Sequence, residues 1–63
     1  MLEMMIETWT HPGRAPAYRW SLWADGIRVA MGGPHETPAE SEAEAQQYCG
    51  QRMKRPPDRI TRL

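Results

Sequence analysis

Few residues in this chain have the types and spacing that chemistry at a site requires. His11, His35 and Cys49 are the only imidazole and thiol groups, and a structural zinc site usually takes four such ligands in close pairs. Three ligands isolated in two loops and a helix therefore indicate no metal site. Cys49 falls on a helix stripe that is expected to be buried, where a thiol is inert rather than nucleophilic.

The size of the chain also points away from catalysis. A pocket for a small molecule usually holds roughly 300 Å³ or more, and a chain of 63 residues rarely encloses one. The turn Gly32-Gly-Pro34 lacks the spacing and the lysine of a phosphate-binding loop. We therefore expect a binding module with no catalytic residues, no cofactor and no metal.

Tryptophan and arginine are the side chains most suited to binding in this chain, because both types are enriched at interaction hot spots. Whether they share one surface depends on the strands that carry them. The candidates for a binding surface are Trp9, Arg19, Trp23 and Arg28.

Residues 18–31 have the pattern of a β-hairpin. The dipeptide Asp25-Gly26 suits the positive φ angles of a two-residue type I′ turn. A regular ladder from that turn makes one face apolar and leaves the other polar. The apolar pairs are Ala24 with Ile27, Leu22 with Val29 and Trp20 with Met31, whereas the second face pairs Trp23 with Arg28 and Ser21 with Ala30 and also carries Arg19.

Residues 2–10 alternate with the period of two that is typical of a half-buried strand. Two prolines and a glycine between His11 and Pro16 then predict a loop. On the strand, one side carries Leu2, Met4 and Ile6, and the other carries Glu3, Met5, Glu7 and Trp9.

One helix is predicted after the hairpin, and it ends by Arg55 because Pro56-Pro57 cannot continue it. It begins either at Thr37, which is followed by the proline and glutamate of a capping box, or one turn later at Ser41. The apolar stripe of the helix consists of Ala45, Cys49 and Met53.

These elements predict an α+β fold, a three-stranded antiparallel β-meander with one C-terminal α-helix packed on one face. Residues 1–55 form the single domain, and residues 56–63 form a basic C-terminal tail whose Ile60 and Leu63 offer apolar contacts to the sheet. The helix-covered core is expected to contain Ile6, Trp20, Leu22, Ile27, Val29 and Met31.

The sheet face away from the helix is the candidate site. Antiparallel pairing of the first two strands, with their polar faces matched, brings Trp9 near Arg19 and Met5 near Trp23. An exposed apolar patch bordered by charge commonly marks an interaction surface. The alternative is that these residues only stabilise the sheet, through cross-strand and cation–π contacts worth ~0.2–1 kcal/mol each.

The charges of the chain cancel, with eight basic and eight acidic residues, so the net positive charge usual in nucleic-acid-binding proteins is missing. Their distribution is uneven, because the acidic residues gather near the helix start and the basic ones near the C-terminus. The basic group either contacts phosphates or complements the helix dipole at a solvated terminus. It consists of Arg52, Lys54, Arg55, Arg59 and Arg62.

The order of strands and helix resembles the arm-type DNA-binding domain of tyrosine integrases and the related plant AP2 fold. The matching elements are Tyr18-Arg-Trp20, Asp25-Gly26, Thr37 and Glu42-Ala-Glu-Ala45. The resemblance is one of shape, over about two thirds of the chain. It implies a sheet whose open face enters the major groove of DNA.

The remaining signals concern the compartment. A lone cysteine allows no disulfide within the chain, which fits a reducing cytoplasm. The N-terminus lacks a basic region, and Glu3 and Glu7 interrupt its apolar residues, so neither a signal peptide nor a membrane span is expected.

Taken together, the sequence favours a small bacterial or phage accessory protein that binds another protein, or a second copy of itself as a homodimer. The binding residues would be Trp9, Arg19, Trp23 and Arg28. Nucleic-acid binding through the sheet face and the C-terminal arginines is the alternative.

Overall fold

The sheet contains four strands rather than three. In the computed structural model, which describes all 63 residues, the strand order is β3-β2-β1-β4, with β1 antiparallel to β2 and parallel to β4. The fold is α+β with one helix, as predicted, but the three-stranded meander omitted a strand. The elements are β1 (Leu2–Trp9), β2 (Ala17–Ala24), β3 (Ile27–His35), α1 (Pro38–Tyr48), a π-helical turn (Cys49–Met53) and β4 (Arg59–Arg62).

The fourth strand is formed by residues of the predicted tail. Ile60 packs against the core from the helix-covered side. On the other side, Glu3 Oε2 accepts hydrogen bonds from Arg59 Nε at 2.9 Å and from Thr61 Oγ1 at 2.8 Å. Asp58, just before the strand, accepts from the backbone N–H of Leu2 at 2.7 Å. Residues 56–63 are therefore not a tail outside the domain, because β4 extends the sheet.

The predicted turn of the hairpin is confirmed, since Asp25 and Gly26 have φ angles of 51° and 82°. A bulge follows at Val29, where β3 has one more residue than β2. The predicted pairs before the bulge are confirmed, and those after it are wrong by one residue. The observed pairs are Ala24 with Ile27, Trp23 with Arg28, Leu22 with Ala30, Ser21 with Met31 and Trp20 with Gly32.

The bulge changes which side chains of β3 are buried, because a shift of one residue moves a side chain to the other face of a sheet. Val29 and Met31 were predicted in the core, but they are 45% and 52% exposed. Ile27, also predicted in the core, keeps its predicted pairing before the bulge and is 70% exposed beside the turn. The register has a steric reason. A Cβ atom on Gly32 would lie 2.6 Å from Cζ2 of Trp20, so only glycine fits opposite this indole. β3 then continues to His35, past the end of the hairpin predicted at Met31.

The core lies between α1 and one face of the sheet. Small helix residues let the helix approach the strands closely, and the Trp20 ring packs 5.5 Å from the ring of Tyr48. The burial predicted for Ile6, Trp20 and Leu22 is confirmed. The buried apolar residues are Leu2, Met4, Ile6, Trp20, Leu22, Ala45 and Cys49.

The helix begins at the first of the two predicted positions. Thr37 Oγ1 accepts from the backbone N–H of Glu40 at 3.2 Å, which satisfies one of the free donors at the helix start. After the π-helical turn, Lys54 adopts a left-handed conformation with φ of 59°, and the helix ends there. No helix in the structure has the length and the apolar character that a membrane crossing requires.

Candidate functional site

The face of the sheet opposite α1 is uncovered, and it is named the open face here. Cross-strand partners point to the same side of a sheet, so the observed pairing defines its members. The four predicted binding residues all belong to it. Its residues are Glu3, Met5, Glu7 and Trp9 of β1, Arg19, Ser21 and Trp23 of β2, Arg28 and Met31 of β3, and Arg59 and Thr61 of β4.

The centre of the open face is apolar. Met5 and Met31 flank Ser21 from the two neighbouring strands. Trp23 Nε1 donates to Ser21 Oγ at 2.9 Å, and Ser21 is only 3% exposed. The indole of Trp23 therefore leans back along β2 and satisfies the hydroxyl that it helps to cover.

One end of the open face carries a cation–π pair. The guanidinium carbon of Arg19 lies 5.3 Å from the centroid of the Trp9 ring, which confirms the predicted proximity of these residues. Trp9 remains 46% exposed. Met5 lies opposite Ser21 and not opposite Trp23, whose partner on β1 is Glu3, so Met5 is a diagonal neighbour of Trp23.

The two tryptophans lie at opposite ends of the face. On β1, Trp9 and Glu3, the partner of Trp23, are six residues apart, which corresponds to about 20 Å of extended strand. The structure therefore divides the predicted residues into the pair Trp9–Arg19 and the pair Trp23–Arg28. Met31 lies on the open face near this second pair. The sequence pattern predicted Met31 in the core, because that pattern does not include the bulge that moves its side chain to the open face.

The charges on the open face are only partly paired. Arg59 forms an ion pair with Glu3 at 2.8 Å, and the hydrogen bond from the Thr61 hydroxyl, followed by that from Arg59, lowers the pKa of Glu3. Glu7, Arg19 and Arg28 take part in no ion pair. The unpaired groups are therefore available to a charged partner.

Much of the positive charge of the basic group near the C-terminus is neutralised within the fold. Arg55 contacts Asp58 at 2.5 Å, and Arg59 contacts Glu3. Arg62 contacts Glu42 of the helix at 2.8 Å. Three of the five basic residues thus already have a carboxylate partner, and only Arg52 and Lys54 lack one.

A second polar cluster lies where the helix meets β2 and β3. Trp20 Nε1 donates to Glu44 Oε1 at 2.5 Å, and His35 Nε2 lies 3.3 Å from the same oxygen without a hydrogen-bond geometry. The indole N–H and then the imidazole lower the pKa of Glu44. Sequence reasoning missed this cluster, because a glutamate on a helix usually faces solvent.

This cluster joins the helix to the sheet. The hydroxyl and the thiol on the nearby buried side of the helix are not accessible as nucleophiles. Ser41 is 0% exposed, and its hydroxyl has no hydrogen-bond partner, so a substrate has no path to it. Cys49 is 1% exposed, and burial raises the pKa of its thiol. Both residues act as small groups that allow close packing of the helix.

The side chains that could bind a metal ion are dispersed, and one depression on the surface is open to solvent. No three His, Cys, Asp or Glu side chains are grouped as metal ligands. A depression of about 420 Å³ at the end of the helix is open to solvent and has one hydrophobic lining residue, whereas small-molecule sites are mostly apolar. It is lined by Gln46, Cys49, Gly50, Lys54, Arg55 and Pro56.

Comparisons with known proteins gave no match: no family model, no curated protein and no solved structure is significantly similar to this chain.

Proposed function

We propose that this protein is a non-enzymatic binding module whose open face binds another protein. One observation carries the proposal: the open face combines an apolar centre with unpaired arginines at both of its ends. Trp23 and Met31 supply apolar surface, while Arg19 and Arg28 supply charge. Aromatic, methionine and arginine side chains are enriched in the buried centre of protein interfaces.

The charges favour a protein over a nucleic acid as the partner. Glu7 lies on the open face opposite Arg19 and has no ion-pair partner, so it would repel a polyanion. Three of the four C-terminal arginines that the alternative requires for phosphate contacts are engaged by carboxylates of the same chain, and only Arg52 is not. Each lost phosphate contact reduces the affinity for nucleic acid.

The proposal is tested by capturing binding partners from a cell lysate on the immobilised protein. We expect Trp23→Ala to lose partners that wild type retains, because it removes an aromatic anchor beside the apolar centre of the face. Gln47→Ala, on the exposed side of the helix, is the matched control and should behave as wild type. Circular dichroism of both variants establishes that the fold is kept.

Identical partners for wild type and Trp23→Ala would contradict the proposal. A mobility-shift assay with duplex DNA at low salt decides about the alternative. We expect no shifted band, and a shift that disappears as salt is raised would favour nucleic-acid binding instead.

A further inference from the structure

We infer that the partner of the open face is a second copy of this chain, which packs its own open face against the first. This inference rests on the proposed function and names the partner of that same site. The two sheets would form a sandwich around a twofold axis. This axis lies between the two sheets, parallel to the strands, and passes over the line midway between β1 and β2. Sheets packed in this way keep their strand directions within about 30° of each other.

Two of the three unpaired charges of the open face complement each other under this symmetry. Glu7 and Arg19 lie opposite one another on β1 and β2, on either side of the axis, and neither has an ion-pair partner in its own chain. The rotation exchanges the positions of β1 and β2, so Glu7 of each copy lies against Arg19 of the other. Because a twofold interface repeats every contact, two such ion pairs form.

The same rotation buries the apolar centre. Met5 of one copy lies against Ser21 of the other, next to the indole of Trp23. At the end of the face that carries Trp23, Glu3 of one copy lies against Trp23 of the other, and Arg59 lies against Arg28 at the rim, where both arginines are exposed. Glu3 keeps its own ion pair with Arg59. No unpaired carboxylate is therefore placed against the aromatic anchor.

The area of the face predicts a weak dimer. Strands of 8, 8, 9 and 4 residues, about 4.8 Å apart and with ~3.3 Å per residue, give a face of roughly 450 Å² per copy. Two faces then bury about 900 Å², in the range of weak, transient interfaces. The net charge of zero adds no general repulsion between copies. We expect dissociation in the micromolar range.

The test uses sedimentation equilibrium of the full chain and two charge reversals. The wild-type mass should rise from 7.3 kDa towards twice that value between about 5 and about 500 µM protein. Glu7→Arg and Arg19→Glu, each alone, should weaken the dimer about tenfold or more, because each places like charges together twice. An equimolar mixture of the two variants should form dimers again, since both intermolecular pairs are then attractive.

The mixture separates an intermolecular pair from damage within one chain, which mixing does not repair. Arg52→Glu changes an exposed, unpaired arginine and should dimerise as wild type. A constant mass of 7.3 kDa over the whole range, or failure of the mixture to recover, overturns the inference. A monomer that still loses its captured partners on Trp23→Ala would leave the proposed function in place and assign the face to a different protein.

Discussion

At the scale of single residues, Trp20 determines the arrangement around it. Its indole is 4% exposed and donates to Glu44. The ring occupies the space in which a side chain at residue 32 would lie. One buried aromatic residue thus requires both a glycine on the neighbouring strand and an acceptor on the helix.

The first prediction concerns Gly32→Ala. The added methyl group would contact Trp20 Cζ2 at 2.6 Å and Glu44 Oε1 at 2.7 Å, so the indole must move. We expect the free energy of unfolding to fall by about 1–3 kcal/mol, as for overpacked cores, in urea denaturation. Gly50→Ala is the control: no atom lies within 4 Å of the new Cβ, and alanine in a helix should add ~0.5–1 kcal/mol. Equal effects of both variants would contradict this assignment.

At the scale of elements, the two edges of the sheet differ. β4 is short and flanked by arginines, both devices that protect an edge from pairing with other chains. β3 is longer and carries exposed apolar residues, but its bulge at Val29 and the proline at position 34 interrupt regular pairing. The edges are thus less suited to association than the open face.

The second prediction tests whether β4 is part of the domain. Ile60→Ala removes a partly buried side chain that packs against the core, and we expect it to cost about 1–3 kcal/mol of unfolding free energy. Leu63→Ala changes a residue that is 66% exposed and should cost under ~0.5 kcal/mol. Chemical denaturation of both variants measures the difference. If Ile60→Ala were as mild as Leu63→Ala, the strand would not contribute to stability.

At the scale of the whole molecule, carboxylates connect segments that are distant in sequence. In four of them, a hydrogen bond to the charged form lowers the pKa. The donors are the Thr61 hydroxyl for Glu3, the N-terminal ammonium group for Asp25, the Trp20 indole for Glu44 and the Leu2 backbone N–H for Asp58.

The third prediction is a loss of stability in acid. Since these groups have a lower pKa folded than unfolded, their contribution is present in full above the ordinary carboxyl range of about pH 4 and is lost as the pH falls through the folded values. Glu44→Gln should be less stable than wild type at about pH 7, and the difference should shrink towards about pH 3. Urea denaturation at both pH values measures it. Glu36→Gln, an exposed residue, is the control and should match wild type at each pH.

Much of the local structure was predictable because it depends on near neighbours in the chain. The Asp25-Gly26 turn, the Thr37 cap and the alternation of β1 each follow from residue types within a few positions. The proximity of Trp9 and Arg19 was also predictable, because antiparallel strands with matched faces bring these two residues together. The role of the open face in binding remains a prediction.

The residue pattern alone predicts the α+β class, the hairpin turn and the burial of one face of β1 and β2, whereas it leaves Thr37 and Ser41 as alternative helix starts. The register of β3 depends on tertiary packing, because the contact between Gly32 and Trp20 joins two strands and cannot be read from the residue pattern of one strand. The same holds for β4 and for Glu44. Ile60 pairs with Met4 across 56 positions, and Glu44 meets Trp20 across 24. Periodicity describes what one element prefers, whereas packing decides which of its side chains finds a partner.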